Sequence, residues 1–180
     1  MRKPKGTYGV MAEFESAEAL VAAGRKAYAE GYRKMDAYSP FPIEAMEEAI
    51  GVKHTILPWL VFLGGLFGGM GGYALEYWTQ VIEYPLVIGG KPFHSWPNFI
   101  PVWFETTVLG ASLTAVIGML ALNGLPMPYH PVFNIERFVD HAQKDKFFLC
   151  IESTDAKFKT EECKKFLSGL HPVNVWEVPH

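Results

Sequence analysis

The sequence contains few cysteines and few charged residues, and each shortage excludes a class of protein. Its 180 residues include two cysteines, Cys150 and Cys163, whose spacing matches no disulfide framework and no metal, haem or iron–sulfur motif. Charged residues make up 19% of the chain, below the usual level of about 25%, and they form no basic block that would bind nucleic acid. A phosphate-binding loop and a recognisable Ser or Cys nucleophile are also missing. We therefore expect no metal, no cofactor, no catalytic residue and no nucleic-acid partner.

Charge is missing altogether from one long stretch and nearly so from another. The twenty residues from Ile56 to Leu75 carry no charged side chain, and the stretch from Ile100 to Leu125 carries only Glu105. Twenty residues of helix, at about 1.5 Å each, cover the roughly 30 Å of a bilayer's hydrocarbon core. A buried hairpin in a soluble protein is the less favoured alternative, because two such stretches rarely fit inside so small a fold. The predicted transmembrane hairpin occupies residues 55–125, with helices at about 55–79 and 100–124 and an outer loop at 80–99.

The distribution of Lys and Arg predicts the orientation of this hairpin. Residues 1–55 contain eight basic side chains and residues 126–180 contain seven, whereas the connection from 79 to 99 contains one, Lys91. Because basic residues are enriched in cytoplasmic segments, we expect both termini to be cytoplasmic. The first seven residues lack the apolar core of a signal peptide, so we expect the N-terminus to stay where it is synthesised.

The segments on either side of the hairpin have the pattern of two halves of one domain. Each half, residues 1–54 and residues 126–180, shows a strand, an amphipathic helix and a second strand in that order. We expect an α+β fold in which a ferredoxin-like split βαβ cytoplasmic domain is interrupted by the two-helix transmembrane hairpin. The predicted elements are a strand Thr7–Phe14, a helix from its N-cap Ser16 to Glu30, a strand Arg33–Tyr38, a short helix Ile43–Ile50, a strand Lys146–Glu152, a helix with Thr160 as N-cap, and a strand Val173–Val178.

Both apolar helices carry small residues at helical spacing. Glycine costs about 1 kcal/mol relative to alanine inside a helix, and close contact with another helix is the usual compensation. That helix is either the other half of the hairpin or, as the presence of two small faces favours, a helix of another subunit. The residues that we assign to helix packing are Gly64, Gly65, Gly68, Gly69 and Gly72 on the first helix and Ala111, Thr114 and Gly118 on the second.

Two carboxylates lie inside the predicted spans, towards the outer surface. Glu76 is on the glycine side of the first helix, and Glu105 is on the side of the second helix opposite its small residues. Ionisable groups at such depth are costly and often functional, so we consider a role in proton movement. The candidate partners are each other, His94 in the outer loop, and a neighbouring subunit. Interfacial carboxylates that simply reach water are an equally favoured interpretation.

Several unusual strings, taken with the two spans, make the sequence recognisable. They extend over nearly the whole chain and keep a fixed order. Together they resemble the D subunit of alternative complex III. The strings are Asp36–Pro42, Tyr84–Gly90, His94–Pro97, Ile100–Glu105, Tyr129–Asn134 with Arg137–Phe138, and Phe147–Glu152.

The resemblance implies membership of a respiratory quinol-oxidising complex in the bacterial inner membrane. In that family, partner subunits carry haem c, iron–sulfur clusters and the quinol site. The D subunit has two spans and a cytoplasmic domain, binds no redox centre, and packs in the membrane lipid against the multi-span subunits. The resemblance supplies no established catalytic residue for this chain.

Three functions remain open at this point. The first is a structural subunit that supports assembly, and the second is a subunit that contributes to proton movement through Glu76 and Glu105. The third is a stand-alone membrane sensor whose α/β domain binds a small effector, although the glycine-rich face argues against it.

Overall fold

The structure is a computed structural model that describes residues 6–52 and 54–180. Contacts within the chain divide it into a sheet unit, residues 6–52 with 128–180, and a helix-pair unit, residues 54–127. Four basic residues that contribute to the predicted orientation lie outside the described residues: Arg2, Lys3, Lys5 and Lys53.

The sheet unit is built on a four-stranded antiparallel sheet to which both ends of the chain contribute. Its strand order is β2-β3-β1-β4, so β1 lies between two strands from the far end of the sequence. Six of the eight residues of β1 are buried, which is the pattern of a central strand covered on both faces. Neither half of the sequence completes this sheet alone. The strands are β1 Thr7–Phe14, β2 Met35–Tyr38, β3 Phe147–Glu152 and β4 Asn174–Pro179.

Three helices cover one face of the sheet: α1 Ala17–Glu30, α2 Glu44–Ile50 and α6 Thr160–Ser168. The Ser16 side chain caps α1 by accepting a hydrogen bond from the backbone of Ala19, and Gly31 ends it in the left-handed conformation at φ 108°. These are the signals from which the sequence predicts this helix. The buried core on this side is formed by Val10, Ala12, Phe14, Leu20, Leu149, Ile151, Cys163 and Leu167, among others.

A segment that the sequence analysis leaves unassigned covers the opposite face of the sheet. It comprises a 3₁₀ turn, Pro131–Asn134, and the short helix α5, Glu136–His141. Six helical residues make fewer than two turns, too few for a periodic pattern to be visible in the sequence. The segment buries Val132, Ile135, Phe138 and Ala142 against Met11, Phe148, Cys150 and Val178.

An ion pair fixes α5 to the central strand. Glu13 of β1 is 1% exposed, and its two carboxylate oxygens accept hydrogen bonds from Arg137 at 3.1 and 3.2 Å. The Nη1 atom of Arg137 lies 2.8 Å from His141 Nε2. Loss of one partner of such a pair leaves a buried charge without compensation, so this contact specifies where α5 lies on the sheet.

Several predicted limits differ from the structure by one or two residues. α2 begins at Glu44 and not at Ile43, β3 begins at Phe147 and not at Lys146, and β4 is Asn174–Pro179 and not Val173–Val178. The strand β2 begins at Met35 and not at Arg33. The backbone N–H groups of Arg33 and Lys34 donate to the Asp155 side chain, while the Lys34 carbonyl accepts a hydrogen bond from the backbone of Glu152. The N-cap of α6 is Lys159 and not Thr160, and it makes no capping hydrogen bond through its side chain.

The helix-pair unit contains the two long apolar helices, α3 Leu57–Tyr77 and α4 Ile100–Leu122. A π-helical segment, Trp78–Glu83, continues α3, so the helical stretch extends four residues beyond the predicted end at 79. By length and composition, each helix could cross a membrane. The connection that follows contains a 3₁₀ turn, Trp96–Asn98, and the fully buried Phe99.

We expect Asp155→Asn to destabilise the sheet unit by about 2 kcal/mol at neutral pH, the cost of losing hydrogen bonds to a charged group. Asp155 is 7% exposed and accepts hydrogen bonds from the backbone of Arg33, Lys34 and Lys157 at 2.6, 2.7 and 2.8 Å. Burial acts to raise the pKa of this carboxyl, but the three N–H donors outweigh burial and lower it. Amide hydrogen exchange of the sheet in the full chain measures the effect.

The pH dependence provides a second check on the same residue. Because the folded pKa of Asp155 is lowered, its stabilisation is present above the unfolded pKa of about 3.9 and is lost as pH falls through the folded pKa. The difference between wild type and Asp155→Asn should therefore shrink in acid. A difference that stayed constant down to low pH would contradict the assignment of the charged carboxylate as the acceptor.

Candidate functional site

The two apolar helices touch along a line of glycines where their backbones come into contact. A Cβ atom added to Gly68 would lie 3.2 Å from the Cα of Gly110 and would overlap the backbone carbonyl of Thr106. A Cβ atom added to Gly110 would lie 3.1 Å from the Cα of Gly68 and would overlap the carbonyl of Gly64. No side chain fits between the helices at this crossing, which accounts for glycine on both sides.

The other small residues extend this contact in both directions into what we call the seam. Gly65 lies against Ala111, so that a Cβ atom added to Gly65 would be 3.4 Å from the Ala111 Cβ. The remaining pairs are Gly64 with Thr114, Gly69 with Thr107 and Trp103, Gly72 with Thr106, and Gly118 with Leu57. This order of pairs shows that α3 and α4 run antiparallel.

The partner of the glycine face is therefore the other half of the helix pair. The sequence favours a helix from another subunit, and the structure instead brings the two small faces of this chain against each other. Gly110 and Thr106 are the contact residues that sequence reasoning misses. Gly110 lies four residues before Thr114, a small-xxx-small spacing that could have identified it.

The threonine hydroxyls along the seam make hydrogen bonds within their own helix. Thr107 donates to the Trp103 carbonyl at 2.7 Å, and Thr114 donates to the Gly110 carbonyl at 2.7 Å. Thr106 likewise donates to Val102 and Trp103. Because these donors are used internally, the seam is held together by close packing and not by interhelical hydrogen bonds from these groups.

The structure does not bring the two carboxylates of the helix pair together. Glu76 is 9% exposed and lies with Gly69 and Gly72 on the buried side of α3. Its Oε2 atom has no hydrogen-bond partner among the described residues. Glu105 is exposed on α4, and no hydrogen bond or ion pair within residues 6–52 and 54–180 involves its side chain.

His94 has a different partner from those that the sequence suggests. Its Nε2 atom lies 2.7 Å from the hydroxyl of Tyr73, and its ring packs edge-on against Tyr77 at 5.3 Å between centroids. Neither Glu76 nor Glu105 forms an ion pair with it in the described part of the chain. His94 thus attaches the connection after the π-helical segment to α3.

The two cysteines lie in separate parts of the core. Cys150 contacts the α5 side of the sheet, and Cys163 lies on the α1 side. Burial, with smaller contributions from Asp36 and Glu152, raises the pKa of the Cys150 thiol to about 12, so this group is protonated at neutral pH. Within the part of the chain that the structure describes, no cluster of three or more His, Cys, Asp or Glu side chains has the arrangement of a metal site.

A polar cluster lies at the end of the sheet near the start of the α5 segment. The Tyr8 hydroxyl is 3.1 Å from His130 Nε2 and donates to Glu152 at 3.3 Å. Burial and the nearby Glu152 raise the pKa of both Tyr8 and Asp36. Beside it is a cavity of about 430 Å³, one of several in the sheet unit that the sensor hypothesis could use. It is lined by Ala37, Tyr38, Ser39, His130, Val132, Phe133, Phe138, Val139, Ala142 and Gln143.

Comparison with known proteins assigns the chain to a family. The family described as alternative complex III, ActD subunit, matches residues 8–177, a range that includes nearly all of the sheet unit, the seam, both carboxylates and His94. No curated protein matches the chain. The family match confirms the resemblance that the sequence strings indicate. Since it extends over nearly all of the sequence, the chain belongs to the ActD family, the D subunit of alternative complex III.

Proposed function

We propose that the chain is a cofactor-free, non-catalytic membrane subunit of a bacterial quinol-oxidising complex, and that it packs against multi-span quinol-site subunits and supports assembly. The observation that carries this proposal is the family match over residues 8–177. Membership makes the chain a subunit of a respiratory electron-transport assembly. The structural details below support the more specific role.

The outer surface of the helix pair supports its place in the membrane. With glycines on the inside, the large apolar side chains point outwards: Phe62, Phe67 and Leu109 are 59%, 67% and 56% exposed. Such a surface is matched by lipid tails or by other apolar helices and is unfavourable in water. We place α3 and α4 as a two-span hairpin in the inner membrane.

The sheet supports the orientation. Since β1 pairs with β3 and β4, both ends of the helix pair must connect to the same side of the bilayer, which requires an even number of crossings. The excess of Lys and Arg outside the hairpin assigns that side to the cytoplasm. The strand order β2-β3-β1-β4 also supports a ferredoxin-like split βαβ description of this cytoplasmic unit.

The chemistry of the core supports the assignment of redox centres to partner subunits. Cys150 and Cys163 are fully buried in different clusters, and thiolates are needed to bind metals or clusters. We assign haem c, the iron–sulfur clusters and quinol to partner subunits. A role in proton movement has less support, because Glu76, Glu105 and His94 are not joined to one another and only Glu76 is enclosed.

We expect a tagged form of this chain, solubilised from native membranes in mild detergent, to recover its partners in fixed ratio. A haem spectrum should show haem c, and mass spectrometry should identify an iron–sulfur protein and multi-span subunits. A stable, colourless chain recovered without these partners would contradict the proposal and would favour the sensor hypothesis.

We expect Gly68→Leu to separate the helix pair and to reduce strongly the amount of this subunit in the purified complex. The new side chain would enter the contact with Gly110 and Thr106, and overpacking of this kind costs about 1–3 kcal/mol or more. The measurement compares the ratio of this chain to its partners by mass spectrometry after purification.

The helix contains a matched control for this experiment. Gly71 is three residues away, and a Cβ atom added there meets nothing within 4 Å. Gly71→Leu should therefore assemble like the wild type, although the same atoms are added to the same helix. If Gly68→Leu were recovered with its partners at the same level as Gly71→Leu and the wild type, the seam would not be required for assembly.

A further inference from the structure

The face of α4 that points away from α3 contains a carboxylate beside apolar side chains and one serine. Four residues with successive spacings of four, three and four lie along this side of the helix: Glu105, Leu109, Ser112 and Val116. All four are exposed in this chain, Leu109 and Val116 to 56% and 53%. The seam occupies the other side of α4, through Gly110 and Thr114. We call these four residues the Glu105 face.

The chain itself does not provide a partner for Glu105. Within residues 6–52 and 54–180, its side chain takes part in no ion pair and no hydrogen bond. The contrast with Glu76 is informative, because that carboxylate lies on the buried side of α3. Of the two acidic side chains in the helices, Glu105 is the one that points outwards.

The position of Glu105 makes lipid an unfavourable neighbour. It lies five residues after the first residue of α4, which corresponds to about 7.5 Å along the helix axis. Ionisable side chains within membrane spans almost always face the interior of a bundle or a hydrated cavity, and there they pair with a polar group. In this helix pair the interior side is already filled by the glycine contacts, so the polar group for Glu105 has to come from outside the chain.

We propose that the Glu105 face docks against a membrane helix of a partner subunit that presents a hydrogen-bond donor to the Glu105 carboxylate. This inference rests on the proposed function, since it requires α4 to span the membrane within the complex. Leu109 and Val116 supply the apolar contact on the same face, and Glu105 supplies its one carboxylate. The face of α3 that carries Gly71 has no comparable polar group.

Site-specific photocrosslinking in the intact complex tests the proposal. The photoreactive residue p-benzoylphenylalanine is placed at Leu109, on the Glu105 face, or at Phe104 as a control. Phe104 is 67% exposed and, being five residues away, points about 140° from Leu109 around the helix. We expect Leu109 to form an adduct with a multi-span partner subunit and Phe104 to give much less of that adduct.

Each other outcome has a definite meaning. Adducts of Leu109 with lipid alone, or with a second copy of this chain, in a complex that still contains the chain would overturn the docking proposal and leave the proposed function intact. If the chain did not copurify with any partner, the proposed function would fail, and the docking proposal with it.

Substitution of Glu105 tests the polar contact separately. Glu105→Leu removes the acceptor, whereas Glu105→Gln keeps an oxygen in the same place. We expect Glu105→Leu to lower retention of the chain in detergent-purified complex by about fivefold or more, as for loss of one hydrogen bond between membrane helices. Glu105→Gln should retain more of the chain than Glu105→Leu. Equal retention of Glu105→Leu and wild type would overturn the assignment of a donor at this position.

Discussion

The pairing of β1 with two strands from the other end of the sequence constrains the rest of the molecule. In the described sheet, β1 lies between β3 and β4, and both of these strands come from residues 147–179. The chain must therefore leave the sheet unit, form both apolar helices, and return. The antiparallel contact of α3 with α4 fits this requirement, because the second helix runs back in the direction from which the first one came.

Further contacts through charged side chains join the two halves of the sheet unit. Glu13 binds Arg137, which is 124 residues later in the chain, and Asp155 binds the backbone of Arg33, which is 122 residues earlier. Each contact uses a charged group that is buried or held by several hydrogen bonds. Such groups are costly when one partner is absent, so the two halves are required to fold as one unit.

Sequence reasoning works best where local signals agree with tertiary packing. The strand Thr7–Phe14 and the helix from Ser16 to Glu30 have the predicted limits. The signals for them are the strand's apolar residues, the N-cap Ser16 and the terminal Gly31, and each acts on the neighbouring backbone. The segment 131–142 is not predicted, since its role is to fill one face of a sheet that exists only after folding. The sequence predicts that the glycine face packs against a helix, but it does not predict which helix, since small residues indicate close approach and do not identify the neighbour.

The environments of Glu76 and Glu105 are not predicted either. The sequence places each carboxylate on a face of its helix, but only packing determines which face is covered.

The place of β1 in the sheet also has a consequence for biogenesis. A ribosome that has just finished β1 must still synthesise the residues up to Phe147 before the first neighbouring strand exists, which takes on the order of ten seconds at typical rates of translation. Both apolar helices emerge during that interval. Both apolar helices are therefore synthesised before the sheet unit can fold, and β1 has to remain without its two neighbouring strands until translation is nearly complete.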